Sequence, residues 1–243
     1  LPSTSSGRSV FVRAWRIAWT LGTFVAVQVI VCGLSVLPVV LGWRWLAGVT
    51  VPGSGVRLAA FSAAIVPSYV LFAFCLMAVS PLAARMLGWK TPVNAEMRIA
   101  DLEWPLLGWV RYGASIHLVR VLAGLLFRGT PIWTAYLRLS GARLGRRVYI
   151  NSVSLSDYNL LEFGDDVVIG EAVHLSGHTV EAGVVKTSGV RLGSNVTIGL
   201  GSVIEIGVEI GPHAQVGALS FVPKHTRLKG GAIYVGAPAA PLG

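Results

Sequence analysis

Six aliphatic residues spaced six apart, Leu192, Ile198, Ile204, Ile210, Val216 and Val222, confine this chain to very few folds. Four residues after these come Val196, Ser202, Val208, Ala214 and Ser220, all small or β-branched. Neither an ordinary helix, with period 3.6, nor an alternating strand, with period 2, yields such a series. A period of six is the hexapeptide repeat of a β-helix. Three hexapeptides close one triangular coil, the aliphatic side chain points into the prism, and coils stack about 4.8 Å apart through shared backbone hydrogen bonds. Gly193, Gly199, Gly211 and Gly217 directly follow four of the aliphatics, and the expectation is that they supply backbone freedom at the corners. The same phase appears at Phe163, Ile169 and Leu175, and earlier at Leu144 and Ile150.

The prism accounts for less than half of the chain. Residues 1–140 contain twelve Lys and Arg against three acids and all eight tryptophans, whereas residues 141–243 hold eight basic and eight acidic residues. Only 13% of the 243 residues are charged, against about 25% in a typical soluble domain. A basic excess confined to an apolar half points to membrane headgroups, and no nucleic-acid-binding motif accompanies it. Residues 17–41 and 58–84 lack any charge and are long enough to span a bilayer. Trp15, Trp19, Trp43 and Trp45 flank the first as an aromatic belt, and a loop with Pro52, Gly53 and Gly55 joins it to the second. Residues 1–90 therefore read as a transmembrane hairpin. The flanking basic residues put both of its ends, and the β-helix, on the cytoplasmic side.

Residues 91–140 read as interfacial amphipathic helices, because Arg111, His117 and Arg120 interrupt the apolar stretch 106–127. His117 is expected to pack or to sit among headgroups. Residues 141–243 form the β-helix domain. Its phase is lost between Leu175 and Leu192, which stand 17 positions apart and not 12 or 18, so a loop carrying His178, Glu181 and Lys186 projects there. After Val222 the repeat is expected to stop, with a Gly- and Pro-rich tail folding back over the last coil. Cys32 and Cys75 lie in apolar runs and suggest neither a disulfide nor a metal pair. The sequence begins at Leu1, which suggests a segment of a longer polypeptide.

His178 is the strongest candidate for chemistry. A histidine on a loop held by a rigid prism can take a proton from an attacking amine or hydroxyl. Its ring needs a partner to hold the tautomer. Asp157, 21 residues earlier and hence about one coil away, is one candidate, and Glu181 is the other. His174 stands just before an inward leucine, as a secondary contact. No metal-ligand spacing, nucleophile elbow or phosphate-binding glycine loop is present.

These residues resemble the hexapeptide-repeat superfamily of acyltransferases, with a left-handed parallel β-helix. The resemblance gives His178 the part of the superfamily's general base, and Val235-Gly-Ala-Pro-Ala239 is similar to its closing segment. Where the superfamily continues with a lysine near the phosphates of coenzyme A, this chain has Ala240. Residues 100–240 resemble more closely the membrane-bound C-terminal domain of non-ribosomal peptide synthetases of the ε-poly-lysine synthetase type. Gly129-Thr-Pro131, the run from Tyr136 to Gly145, Asp157-Tyr-Asn-Leu160, and His178 with Glu181 and Lys186-Thr187 carry that likeness. It implies amide-bond formation from aminoacyl thioesters on a phosphopantetheine arm, with acetyl-coenzyme A as the alternative donor and no metal. It also implies substrate contacts at Lys186, Asn159 and His174, and carrier and adenylation domains as partners. A trimer or tandem copies of the same domain, in a bacterial inner membrane, complete the expectation. A non-catalytic scaffold docking a synthetase to the membrane is the remaining alternative.

Overall fold

The computed structural model describes residues 5–49 and 53–242, with side chains from residue 10 onward. The first residues of the Ser-rich tail, Pro52 of the expected loop and Gly243 lie outside them. Two long helices come first, α1 (Ser5–Gly48) and α2 (Ser54–Met86), packed along one another. A third, α3 (Trp104–Val119), continues through a π-helical turn at Arg120–Gly124 into Leu125–Phe127. All three are long and apolar enough to cross a membrane by length and composition, including the stretch Trp104–Phe127 that its charges suggested would lie flat. One face of that third helix is buried within the protein, through Leu107, Tyr112, Ile116 and Val119.

From Arg143 onward the chain winds as a parallel β-helix. One face stacks Leu144, Phe163, Leu192, Ile210 and Leu228; the next stacks Ile150, Ile169, Ile198, Val216 and Tyr234. The third face stacks Leu155, Leu175, Ile204 and Val222. The repeat does not stop at Val222. Leu228 and Tyr234 keep the six-residue step and form one more pair of strands, Arg227–Leu228 and Ile233–Val235, before Ala240–Pro241 turns back antiparallel. The Gly- and Pro-rich composition of this stretch obscured a period that its two apolar residues continue. At the other end, the short helix Pro131–Leu139 covers the first coil. Trp133 and Tyr136 are buried there, and Trp133 Nε1 donates to the Ser152 carbonyl (3.0 Å), satisfying a backbone group the open end of a prism would strand.

The glycines after the aliphatics do a different job from the one expected. None of Gly193, Gly199, Gly211 and Gly217 has a positive φ; the left-handed corners fall two residues later, at Asn195, Gly201, Gly207, His213, Leu219, His225 and Gly231. What the first set needs is space. A Cβ on Gly199 would stand 2.4 Å from the backbone nitrogen of Ala218 on the next coil, and one on Gly211 would stand 2.4 Å from that of Gly230. These atoms belong to the stacked backbone and cannot swing aside. Gly199→Ala is therefore expected to destabilise the β-helix by about 1–3 kcal/mol, the usual range for overpacking. Thermal unfolding of the purified variant would show the loss.

The expected loop between Leu175 and Leu192 is a β-hairpin, His178–Glu181 with Val184–Thr187. A short strand from the helical half, Glu96–Arg98, pairs with its outer arm, Met97 opposite Val185. Met97, Val185 and Leu106 of α3 bury one another beneath it. The hairpin is thus fastened to the prism at its base and to α3 through this small core, which fixes where His178 can point.

Candidate active site

His178 opens the hairpin on the face that stacks Leu155, Leu175 and Ile204. Its Nδ1 lies 2.5 Å from Asp157 Oδ2 on the preceding coil. Leu155 bridges Leu175 in parallel, 20 residues away, so Asp157 falls beside Gly177 and within reach of His178. A Cβ on Gly177 would meet that of Asp157 at 2.8 Å, so only glycine lets the two backbones come this close. Asp157 adopts a left-handed conformation (φ 52°), which aspartate and asparagine tolerate better than most residues.

The carboxylate is 3% exposed and surrounded by donors. Thr91 Oγ1 donates to Oδ1 (2.7 Å), Trp109 Nε1 donates to the same oxygen (3.1 Å), and Ser156 Oγ donates to Oδ2 (3.0 Å). Burial by itself would raise the Asp157 carboxyl. The His178 hydrogen bond and charge, helped by Thr91 and Trp109, outweigh it and hold the group below the usual carboxylate range. For His178 burial acts downward, but the Asp157 hydrogen bond and charge, with a smaller push from Glu205, leave the imidazole above its ordinary value. Since Nδ1 is committed to Asp157, the proton it carries fixes the tautomer and leaves Nε2 as the basic atom. Ser176 Oγ donates to the His178 carbonyl (2.8 Å), and the Trp109 ring meets the imidazole edge-on, centroids 5.0 Å apart.

Together these groups line a cleft of about 440 Å³ between the prism and α3. The prism contributes Ser156, Asp157, His174, Ser176, His178 and Glu205, and one stripe of the helix contributes Trp109, Gly113, Ile116, His117 and Arg120. His117 is therefore a cleft residue, its Nδ1 accepting from Arg120 Nη2 (2.8 Å), and not a residue turned away to headgroups. His174 lines the cleft as a neighbour of His178.

Three other sequence-predicted residues lie elsewhere. Glu181 sits at the far end of its strand, where it pairs with Lys224 and, at 3.6 Å, with Lys186; it does not orient His178. Alternation along the hairpin puts Glu181 on the face opposite His178, and its ion pairs hold it there. Lys186 is drawn to the same exposed pair and is not among the residues lining the cleft. Asn159 spends both ends of its amide on the backbone of Thr91, accepting from its N–H (3.1 Å) and donating to its carbonyl (2.8 Å). It positions the threonine that braces Asp157 and is not among the residues lining the cleft. Glu181→Gln is accordingly expected to leave turnover within about twofold, as an exposed pair is worth ~1 kcal/mol or less. A steady-state assay beside the parent chain measures this. Thr91, Trp109 and Ser156 went unnoticed in the sequence. The spacing of Trp109, Gly113, His117 and Arg120 on one helical face was the available signal for the helix side.

A parallel β-helix that offers a carboxylate-held histidine to a cleft is the arrangement that the resemblance to the hexapeptide-repeat acyltransferases implies. No family model matches the chain. It is 25% identical over 170 residues to the delta-poly-L-ornithine synthetase of Acinetobacter baumannii, covering 69% of this chain and 12% of that protein. It is 34% identical over 102 residues to the galactoside O-acetyltransferase of Escherichia coli, covering 39% of this chain and 49% of that one. The chain thus spans less than half the length of either curated relative. Among solved structures it is similar to a galactoside acetyltransferase in complex with coenzyme A, with 20% identity, a TM-score of 0.44, and 56% of this chain and 82% of that chain covered.

Proposed function

We propose that this chain is a membrane-anchored acyl-transferring unit that forms amide bonds between an aminoacyl thioester, carried on a phosphopantetheine arm, and a free amino group. The observation that carries the reading is the Asp157–His178 pair, with Nδ1 held and Nε2 left for the cleft. A free ammonium has a pKa near 10.4 and must lose a proton before it attacks. That first proton passes to water, and the neutral amine adds to the thioester carbonyl carbon as Nε2 takes a second proton from its nitrogen. Collapse of the adduct breaks the carbon–sulfur bond to leave a neutral amide. The leaving thiolate then recovers the proton from the imidazolium, so the histidine ends as it began. Similarity to a delta-poly-L-ornithine synthetase over 69% of this chain supports a peptide-forming role. The three apolar helices support a membrane anchor, and the basic residues flanking the first two favour a cytoplasmic β-helix. Carrier and adenylation domains, in this or a longer polypeptide, would supply the thioester, and a trimer or tandem copies would complete the assembly.

A second reading has its own support. Similarity at 34% identity to a galactoside O-acetyltransferase favours transfer of an acetyl group from acetyl-coenzyme A to a hydroxyl or amine. The same histidine would serve, because coenzyme A presents the same pantetheine thioester. One experiment separates the two. The detergent-solubilised chain receives aminoacyl-pantetheine and a free amino acid in one tube, and acetyl-coenzyme A with a hydroxyl or amine acceptor in another. A dipeptide in the first tube, lost in His178→Ala, supports condensation, and acetyl transfer alone would replace it with the second reading.

A further inference from the structure

Eight carboxylates lie between residues 141 and 243. Seven have a basic side chain within 4 Å: Asp157 has His178, Glu162 and Glu209 share Arg191, Asp165 and Asp166 have Arg146 and Arg147, Glu171 has Arg128, and Glu181 has Lys224. Glu205 is the eighth. Among the described residues it has neither an ion-pair partner nor a side-chain hydrogen bond, and it lines the cleft half-buried. Its place is fixed by the stacking of coils. Ile204 pairs with Leu175, and the Ile204 carbonyl accepts from Ser176 N–H, so Glu205 stands one coil below Ser176, two residues from His178.

Across the cleft, α3 ends in a matching oddity. Arg120, the first residue of the π-helical turn, donates to His117 Nδ1 and has no carboxylate partner among the described residues. A single π-turn of this kind widens the helix locally and occurs often at functional sites. The cleft therefore holds one unpaired anion on the prism and one unpaired cation on the helix, on opposite walls of the same space. They have not closed on one another into an ion pair. Partly desolvated charges without partners are costly, and a ligand bearing both opposite charges relieves both.

We propose that Glu205 and Arg120 form the acceptor subsite, Glu205 receiving the ammonium and Arg120 the carboxylate of a free amino acid. This deepens the condensation reading and rests on it for the fate of the amine. Glu205 would hold the ammonium beside His178, and Arg120, whose planar fork suits a carboxylate, would orient the rest of the molecule. Both are positioning residues, distinct from the base. The subsite selects a zwitterion over a hydroxyl acceptor or an uncharged amine.

Equilibrium binding to the full chain in detergent tests this without any donor, using L-lysine and 1,5-diaminopentane, which lacks the carboxylate. Arg120→Gln is expected to weaken L-lysine about tenfold, roughly one well-formed charged contact, and to leave the diamine within about twofold. Glu205→Gln should weaken both about tenfold, with recovery in Glu205→Asp. Unchanged L-lysine binding in either Gln variant would overturn the subsite, as would equal loss of both ligands in Arg120→Gln. Zwitterion binding that follows these charges, in a chain that makes no dipeptide, would retain the subsite and remove the condensation reading. Dipeptide formation indifferent to both replacements would do the reverse.

Discussion

His178→Ala is expected to lower kcat for acyl transfer by about a thousandfold, within the ~10²–10⁴ that a positioned general base contributes. The loss should fall on kcat, with KM changed little, because the group removed acts on a proton in flight and not on the bound ground state. Steady-state kinetics with saturating thioester, varying the acceptor, separate the two parameters. A variant that retains more than about a tenth of parental kcat would show that Nε2 is not the base, whatever its geometry. The fold is expected to survive, since the strand His178–Glu181 is held by backbone pairing to Val184–Thr187, but with lower stability because the buried Asp157 carboxylate loses its partner.

The second large effect belongs to the carboxylate behind the ring. Asp157→Asn keeps the side chain's shape, and asparagine accepts the left-handed backbone at this position. It removes the charge that holds His178 above its ordinary value against the opposing effect of burial. A base works only when neutral, so parental activity should fall as pH drops through the raised His178 pKa, placing the acid limb above ~6.5. In Asp157→Asn that limb should move to lower pH, while the plateau drops about a hundredfold or more because the ring loses its tautomer lock. A kcat profile between pH 5 and 9 measures both, and an unmoved limb would mean that another group sets it.

Stability answers to pH in the opposite sense on the alkaline side. The raised His178 pKa contributes stability that is whole below the unfolded value and vanishes as pH rises through the folded one. The depressed Asp157 pKa contributes stability present above the ordinary carboxylate range and lost as pH falls through its folded value. The pair thus steadies the fold most between those limits, and the proposed activity is expected to rise as the upper one is crossed.

The prism was legible because its core is local in period. Each residue of the six-step series from Phe163 to Val222 is found in a strand, since such a step leaves no other way to bury the row. Leu228 and Tyr234 obey the same step but lie among glycines and prolines, and composition outweighed spacing. The strand Glu96–Arg98 could not be read, because three residues have no period and its partner lies some 90 positions away. Asp157 and His178 were within reach of sequence reasoning, as coil length converts separation into adjacency. Thr91 and Trp109 were not. Their contacts with Asp157 span 66 and 48 residues and depend on how α3 docks against the prism, a matter of three-dimensional fit between two dissimilar surfaces. Asn159 was legible as special but not in kind, since nothing nearby in sequence reveals that its amide is spent on Thr91.

The bracing of Asp157 from outside the prism bears on how this molecule can be divided. Anyone trimming the gene to a water-friendly β-helix would begin near Gly141 and keep both Asp157 and His178. The cut would discard Thr91 and Trp109, both donors to Asp157 Oδ1, and with them the strand Glu96–Arg98 that steadies the hairpin. The excised piece would carry the reacting pair and lack what aims it. Minimal versions of this protein are better sought by shortening α1 than by separating its two halves.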